Sequence, residues 1–218
     1  MPKRPPRPPG GHADGPDNIR QAQEQAAALL RTGRSSADGG DGRAGATAQK
    51  LQPDDLVTHL TGSRGEAPDG HPTRIEVDDD DATRRSIEME NSAAVTLAEQ
   101  GWRVKQNPTP DEITKARQET GDVGNPQKNP DYLLEGRVFD CYAPTKPTKN
   151  ARGVWTEVKK KIVTLQTQRV VVNLEDWRGD LDALTAQFAD WPIAGLKELK
   201  AITPEGETVQ IDLTPKTD

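Results

Sequence analysis

Two aspartates, Asp131 and Asp140, bracket the segment Asp-Tyr-Leu-Leu-Glu-Gly-Arg-Val-Phe-Asp. If Glu135-Gly136 form a two-residue hairpin turn, Leu134 faces Arg137, Leu133 faces Val138, Tyr132 faces Phe139 and Asp131 faces Asp140. Directly opposed residues share a sheet face, with Cβ atoms about 4.5–5.5 Å apart. Two carboxylates so placed repel, unless a cation lies between them or one is protonated. A hard divalent ion takes carboxylate oxygens and can stabilise an in-line phosphoryl displacement. The plainer alternative is a turn-capping Asp131 and a surface Asp140, and a one-residue register slip would part the pair.

A third carboxylate joins them from a helical stretch. Glu90 falls on the same 3.6-period face as Ile87, Ala94, Leu97 and Ala98. A carboxylate on a buried face is costly unless paired or metal-bound; otherwise it sits at the edge of the face, reaching water, Arg85 or Arg103. The amphipathic stretch 150–166 carries apolar Ala151, Val154, Trp155, Val158, Ile162 and Leu165. Beside them Arg152, Lys159 and Gln166 form a stripe, with Lys160 pointing outward. A lysine there could stabilise charge developing on a phosphate, although a solvated basic face is the commoner fate of such runs.

These residues need a fold, and only part of the chain is apolar enough to provide one. The chain has 218 residues, 32% of them hydrophobic, a mean hydropathy of -0.85 and a net charge of -6. Every Trp, Tyr and Phe lies after position 100. Residues 1–83 read as a disordered, low-complexity leader. It comprises a polyproline-like start, weak helical stretches at 18–30 and 54–62, a Gly-rich linker, and an acidic run at 78–81 read as a solvated linker edge. The basic start lacks the apolar stretch of a signal peptide, and no segment is long and apolar enough for a membrane span. The expectation is a chain cytoplasmic when made, exported, if at all, by a route without a signal peptide. A lone Cys141 excludes an intrachain disulfide and a Cys/His metal cluster.

Residues 84–218 read as one α/β domain. A helix ending at Gly101 precedes a strand from Trp102, then a polar loop with one helical turn after Thr109-Pro110-Asp111. The 131–142 hairpin, the 150–166 helix and the β-branched run 169–174 follow, then a helix capped by Asp180 and a closing hairpin over Pro204-Glu205-Gly206. The order α-β-β-β-α-β-α-β-β gives an α/β layered fold. Trp102, Trp177 and Trp191 are expected in the core or a lid. His12, His59 and His71 all fall in the leader, which disfavours a metal-free nuclease working through a His pair.

From Glu90 onward the chain resembles the C-terminal tRNase domain of CdiA-type contact-dependent growth inhibition toxins. The resemblance is carried by Glu90-Asn91, Leu97-Ala98-Glu99-Gln100-Gly101-Trp102, Gln106-Asn107-Pro108, Asn129-Pro130-Asp131, Gly136-Arg137-Val138-Phe139-Asp140, Pro144, Lys159, Gln166-Thr167 and Arg169 to Leu174. It implies a PD-(D/E)xK nuclease, with an αβββαβ restriction-endonuclease-like core, an extra helix and the closing hairpin. Pro130-Asp131 would supply the PD, and Asp140-Cys141-Tyr142 would occupy the (D/E)xK position with Tyr142 in place of the lysine. Lys159, or failing it Lys146, would then stand in.

The implied catalytic set is Glu90, Asp131, Asp140 and Lys159. Asp131, Asp140 and Glu90 would hold a divalent ion, Mg²⁺ first and Mn²⁺ or Zn²⁺ as alternatives. Arg152, Gln166, Arg169 and Tyr142 would touch RNA. The implied substrate is tRNA, and the implied partner is an immunity protein. Three rivals stay open: a non-catalytic module on a degenerate nuclease fold, which Tyr142 favours; a metal-free barnase-, colicin- or RelE-like ribonuclease; and a DNA endonuclease.

Overall fold

The computed structural model describes residues 57–214. The polyproline start and the 18–30 helix lie outside the described residues. Seven strands form one sheet: β1 (Asp69–Gly70), β2 (Val104–Gln106), β3 (Tyr132–Leu134), β4 (Arg137–Tyr142), β5 (Arg169–Asn173), β6 (Glu198–Ile202) and β7 (Thr208–Gln210). Their order across the sheet is their order in the chain. The pairs β1–β2, β4–β5 and β5–β6 are parallel, and the other three are antiparallel. Four helices accompany them: α1 (Asp81–Glu99), α2 (Pro110–Thr120), α3 (Ala151–Val163) and α4 (Leu181–Asp190).

Strand alternation sends side chains to two cores. On one face α1 packs Ala93, Ala94, Leu97 and Ala98 against Val104, Tyr132, Leu134, Phe139, Cys141 and Val171. On the other, α3 and α4 cover Val170, Val172, Leu199 and Ala201 with Val154, Val158, Ile162, Leu184 and Phe188. Val138 points the same way and meets Ile113 and Ala116 of α2. Every residue of β5 and β6 is buried, as a central strand covered on both faces requires.

The 131–140 hairpin has the expected register: Tyr132 faces Phe139, Leu133 faces Val138 and Leu134 faces Arg137. Glu135 (φ 50°) and Gly136 (φ 76°) both take the left-handed conformation that a type I′ turn demands. Asn150 and Asp180 cap α3 and α4, accepting from the Gly153 and Asp182 amides.

Three expectations need correction. The folded unit begins well before residue 84. Thr58 donates its N–H and hydroxyl to Glu198 at 2.9 and 2.6 Å, and Thr61 does the same to Glu135 at 2.8 and 2.6 Å. β1 then pairs with β2, and Gly70 fits there for want of a side chain: a Cβ would lie 2.2 Å from the Gln106 carbonyl oxygen. Residues 57–62 form no helix, and the acidic run ends in a helix cap, with Asp80 accepting from the Thr83 amide at 2.7 Å.

The second correction concerns the stretch read as a loop, which holds the helix α2. Its capping box works as the sequence suggests, with Thr109 and Glu112 bonding reciprocally. The helix continues to Thr120 because Ile113 and Ala116 find Val138 and Leu133 to pack on.

The third is Arg169, expected on RNA. It is 1% exposed and holds Asp122 at 2.9 Å and Glu198 at 2.6 Å. Lys197 joins Asp122 at 2.7 Å and Lys200 joins Glu198 at 2.9 Å. Burial works against the Asp122 charge, but the hydrogen bonds from Arg169 and Lys197 outweigh it and hold this carboxyl below its usual range. This arginine ties β5 to β6 and is closed off from any ligand.

Candidate active site

Asp140 lies near the C-terminal end of β4 with its side chain fully buried. Alternation puts it on the α3 face, opposite Phe139 and Cys141 on the α1 face. Two groups grip its carboxylate: the Lys161 ammonium from the last turn of α3 and the Gln166 side-chain amide from the segment that follows. Asp131 precedes β3, one step beyond the last regular pair of the hairpin, and its Oδ2 accepts from the Cys141 amide at 2.8 Å. That bond turns the Asp131 carboxylate toward β4 beside Asp140.

The electrostatics record how close these groups are. Burial first, then the Asp140 and Glu90 charges, push the Asp131 carboxyl well above its usual pKa range, with Lys161 opposing. Burial also works against the Lys161 charge, but Asp140 and Asp131 outweigh it and the ammonium is held more firmly than in water. Glu90 reaches the cluster from the middle of α1, where it is half-buried. Its Oε1 accepts from the Thr73 hydroxyl at 2.5 Å, and its main-chain carbonyl accepts from the Tyr132 hydroxyl. Asp131 thus lies within electrostatic reach of both Asp140 and Glu90.

Lys161, not Lys159, contacts Asp140. Lys159 instead lies over the Trp155 ring, 5.0 Å from its centroid, on the outer side of α3. Lys146 stays exposed in the loop before α3. A signal for Lys161 exists in the sequence: it follows Val154 by seven residues and Val158 by three, so it rides the buried face. A lysine on an apolar stripe asks for a buried partner, and Asp140 is that partner.

The residues expected on RNA are scattered. Gln166 serves Asp140. Arg152 is exposed and stacks over Trp155 at 4.1 Å and Trp191 at 4.9 Å, with Trp191 itself 57% exposed. Trp102 and Trp177 are core residues as expected. Tyr142 lines a pocket of about 130 Å³ between the first half of α1 and the end of β4, together with Arg85, Ser86, Met89, Pro144 and Lys161. Lys161, which holds Asp140, forms part of the lining of that pocket. Arg85 is fixed at its rim by Asp176 at 2.6 Å. His59 and His71, assigned to the leader, belong to the described fold, and the His71 carbonyl accepts from the Asn107 side chain at 2.8 Å.

Residues 128–208 match the contact-dependent growth inhibition CdiA C-terminal domain family. A solved CdiA-CT/CdiI toxin and immunity complex from Burkholderia pseudomallei contains a chain 37% identical to this one. The superposition has a TM-score of 0.56 and covers 67% of this chain and 99% of that one. The chain belongs to the CdiA C-terminal domain family. A curated relative of this CdiA-type domain, tRNA nuclease CdiA-2 of Burkholderia pseudomallei strain 1026b, is 39% identical over 137 residues. That alignment takes in 63% of this chain and 4% of the relative's own length.

Proposed function

We propose that the domain is a tRNA nuclease toxin of the PD-(D/E)xK type, acting by metal-assisted phosphodiester cleavage at Asp131, Asp140, Glu90 and Lys161. The observation that carries this reading is the Asp131–Asp140 pair, Asp140 fully buried and Asp131 half-buried, with Lys161 fixed on Asp140. The relative named a tRNA nuclease supports the substrate class. With Lys161 at Asp140, a lysine is present although the motif position holds Tyr142, which removes the main ground for a dead nuclease fold.

The residues fit a divalent ion by charge. Asp131 and Asp140 lie beside each other against the Lys161 ammonium, Glu90 adds its charge, and the ionised form of Asp131 is disfavoured. Among the described residues no three His, Cys, Asp or Glu side chains form a ready-made metal cage. Mg²⁺ seldom uses one; it takes one or two carboxylates, waters and substrate phosphate oxygens. Asp131 and Asp140 would hold it, with Glu90 completing the set. When bound, such an ion would polarise the phosphate as a Lewis acid. The chain's own groups do the rest. Gln166 and the Cys141 amide fix the two aspartates, Lys161 donates to a phosphate oxygen and offsets developing charge, and Glu90 orients the attacking water. Tyr142, Arg152 and the rim of the pocket would contact the flanking nucleotides.

A metal-free reading has one observation in its favour: Lys161 already neutralises Asp140 without any ion. The deciding experiment is cleavage of total tRNA by the full chain with Mg²⁺, Mn²⁺ or EDTA, beside Asp140→Ala and Lys161→Met. Metal-dependent cutting lost in both variants is expected. Cutting that ignores EDTA and survives Asp140→Ala would overturn the metal site. A cognate immunity protein belongs to the same proposal, because the solved relative is a toxin–immunity complex; rescue of a poisoned host by a neighbouring small reading frame tests it. Delivery into a target cell is part of the reading, and no described helix is long and apolar enough to cross a membrane.

A further inference from the structure

We propose that Thr73 is a positioning residue for Glu90, so that the strap before α1 completes the active site; this rests on the nuclease reading above. Glu90 has three side-chain torsions, and its charge acts unfavourably on Asp131. The Thr73 hydroxyl limits that torsional freedom by donating to Glu90 Oε1 at 2.5 Å.

The hydroxyl is itself oriented. Asn107 Nδ2 donates to Thr73 Oγ1 at 3.0 Å and to the His71 carbonyl at 2.8 Å, and the Thr73 proton has Glu90 Oε1 at 2.5 Å as a nearer acceptor than Asn107 Oδ1 at 3.3 Å. The Thr73 main chain is clasped twice by Asn91, whose Oδ1 accepts from the Thr73 amide and whose Nδ2 donates to the Thr73 carbonyl, both at 2.9 Å. Asn91 follows Glu90 on α1, so the helix that carries the carboxylate also carries the clasp. The Asn107 amide donates to the Asp131 carbonyl at 2.9 Å. One asparagine therefore holds the strap with its side chain and the Asp131 backbone with its main chain.

Upstream, Thr58 and Thr61 each give both hydroxyl and amide to a single glutamate, Glu198 and Glu135, whereas Thr73 divides them between Glu90 and Asn91. Those glutamates serve the buried ion-pair network and the hairpin turn, where a lost bond changes stability alone. Thr73 differs because its glutamate belongs to the site. Groups that orient a metal-binding carboxylate typically affect metal affinity or activity about 10–100-fold.

The test uses the full chain as wild type, Thr73→Val, Thr73→Ser, Thr61→Val, Glu90→Ala, Asp140→Ala and the Thr73→Val/Glu90→Ala double variant. Single-turnover tRNA cleavage gives rate and KM separately, and Mn²⁺ titration followed by electron paramagnetic resonance gives ion affinity. Thr73→Val is expected to lower the rate and the Mn²⁺ affinity by about 10-fold with KM for tRNA unchanged, and Thr73→Ser to restore both. In the Glu90→Ala background the valine adds no further loss of rate or of affinity. Thr61→Val keeps wild-type cleavage.

Wild-type rate and ion affinity in Thr73→Val, or an equal loss with and without Glu90, would overturn the proposal while Asp140→Ala stays inactive. Full activity in Asp140→Ala would instead overturn the reading of the site, and the role of Thr73 with it. If the wild type binds no Mn²⁺ and cuts in EDTA, only the metal is lost, and the rate cycle between Thr73 and Glu90 still decides the proposal.

Discussion

Replacing Asp131 by asparagine should stabilise the metal-free domain and abolish cleavage. The two carboxylates oppose each other across β3 and β4 at about 5 Å. At an effective dielectric near 20, two unit charges at that distance repel by roughly 3 kcal/mol. Lys161 and partial solvent access to Asp131 reduce this, so about 1–2 kcal/mol is expected to be recovered. Asparagine keeps an oxygen for the Cys141 amide and turns an N–H₂ toward Asp140, so a repulsion becomes a hydrogen bond. For a domain of this size each kcal/mol moves the melting temperature by about 2–4 °C.

The pH dependence follows from the direction of the shift. A carboxyl whose folded pKa is raised contributes stability that is full below its unfolded value, about 4, and is lost as pH rises through the folded value. Wild type and Asp131→Asn should therefore melt almost together near pH 4 and diverge toward pH 8, where the variant leads by about 3–6 °C. Circular dichroism melts in EDTA at several pH values measure this, with tRNA cleavage in Mg²⁺ run in parallel. Added Mn²⁺ should raise the melting temperature of wild type and narrow the gap. A variant that melts lower than wild type, by the same margin at pH 4 and pH 8, would refute the repulsion argument.

Three other outcomes are expected. Lys161→Met should reduce tRNA cleavage at least about 100-fold, whereas Lys159→Met, which loses only a ring contact, should change KM slightly and leave the rate intact. Arg169→Met leaves Asp122 and Glu198 buried without their shared cation, so urea unfolding should report a loss of about 3–5 kcal/mol, with no change in tRNA affinity of the folded fraction. Glu112, whose carboxyl is drawn down to about 2 by its bonds to Lys105 and the Thr109 amide, should titrate there by NMR. Its contribution to the α2 cap is present above the ordinary glutamate pKa and is lost only as pH falls toward that value; Lys105→Met should raise the midpoint.

What could be read from the sequence divides along physical lines. The hairpin register was legible because Glu-Gly suits a type I′ turn and alternation sets the rest. Two helix caps were legible because Thr109 and Asp180 act on their own neighbours. α2 was undervalued because its two buried residues have meaning only once Leu133 and Val138 lie beneath them. The strap was invisible for the same reason: Thr58, Thr61 and Thr73 are polar residues in a Gly/Pro-rich stretch, and their glutamate partners are 140, 74 and 17 residues away. Lys161 was recoverable. Helical periodicity places it with Val154 and Val158, whereas the basic stripe through Lys159 lies beside that face. Arg169 has an equally instructive place, heading a run of valines where only full pairing lets a guanidinium survive.

The sheet in which every strand lies beside its sequence neighbours has a mechanical consequence. Tension applied at the C-terminal end first meets β7, a three-residue margin strand whose one partner in the sheet is β6. Once β7 leaves, β6 becomes the new margin, and the domain can be dismantled one strand at a time rather than sheared as a block. The resistance is uneven. The Arg169–Glu198 ion pair and the Thr58 grip on Glu198 both fasten β6, so a processive unfoldase working from that end should pause once β7 has left, before it extracts β6.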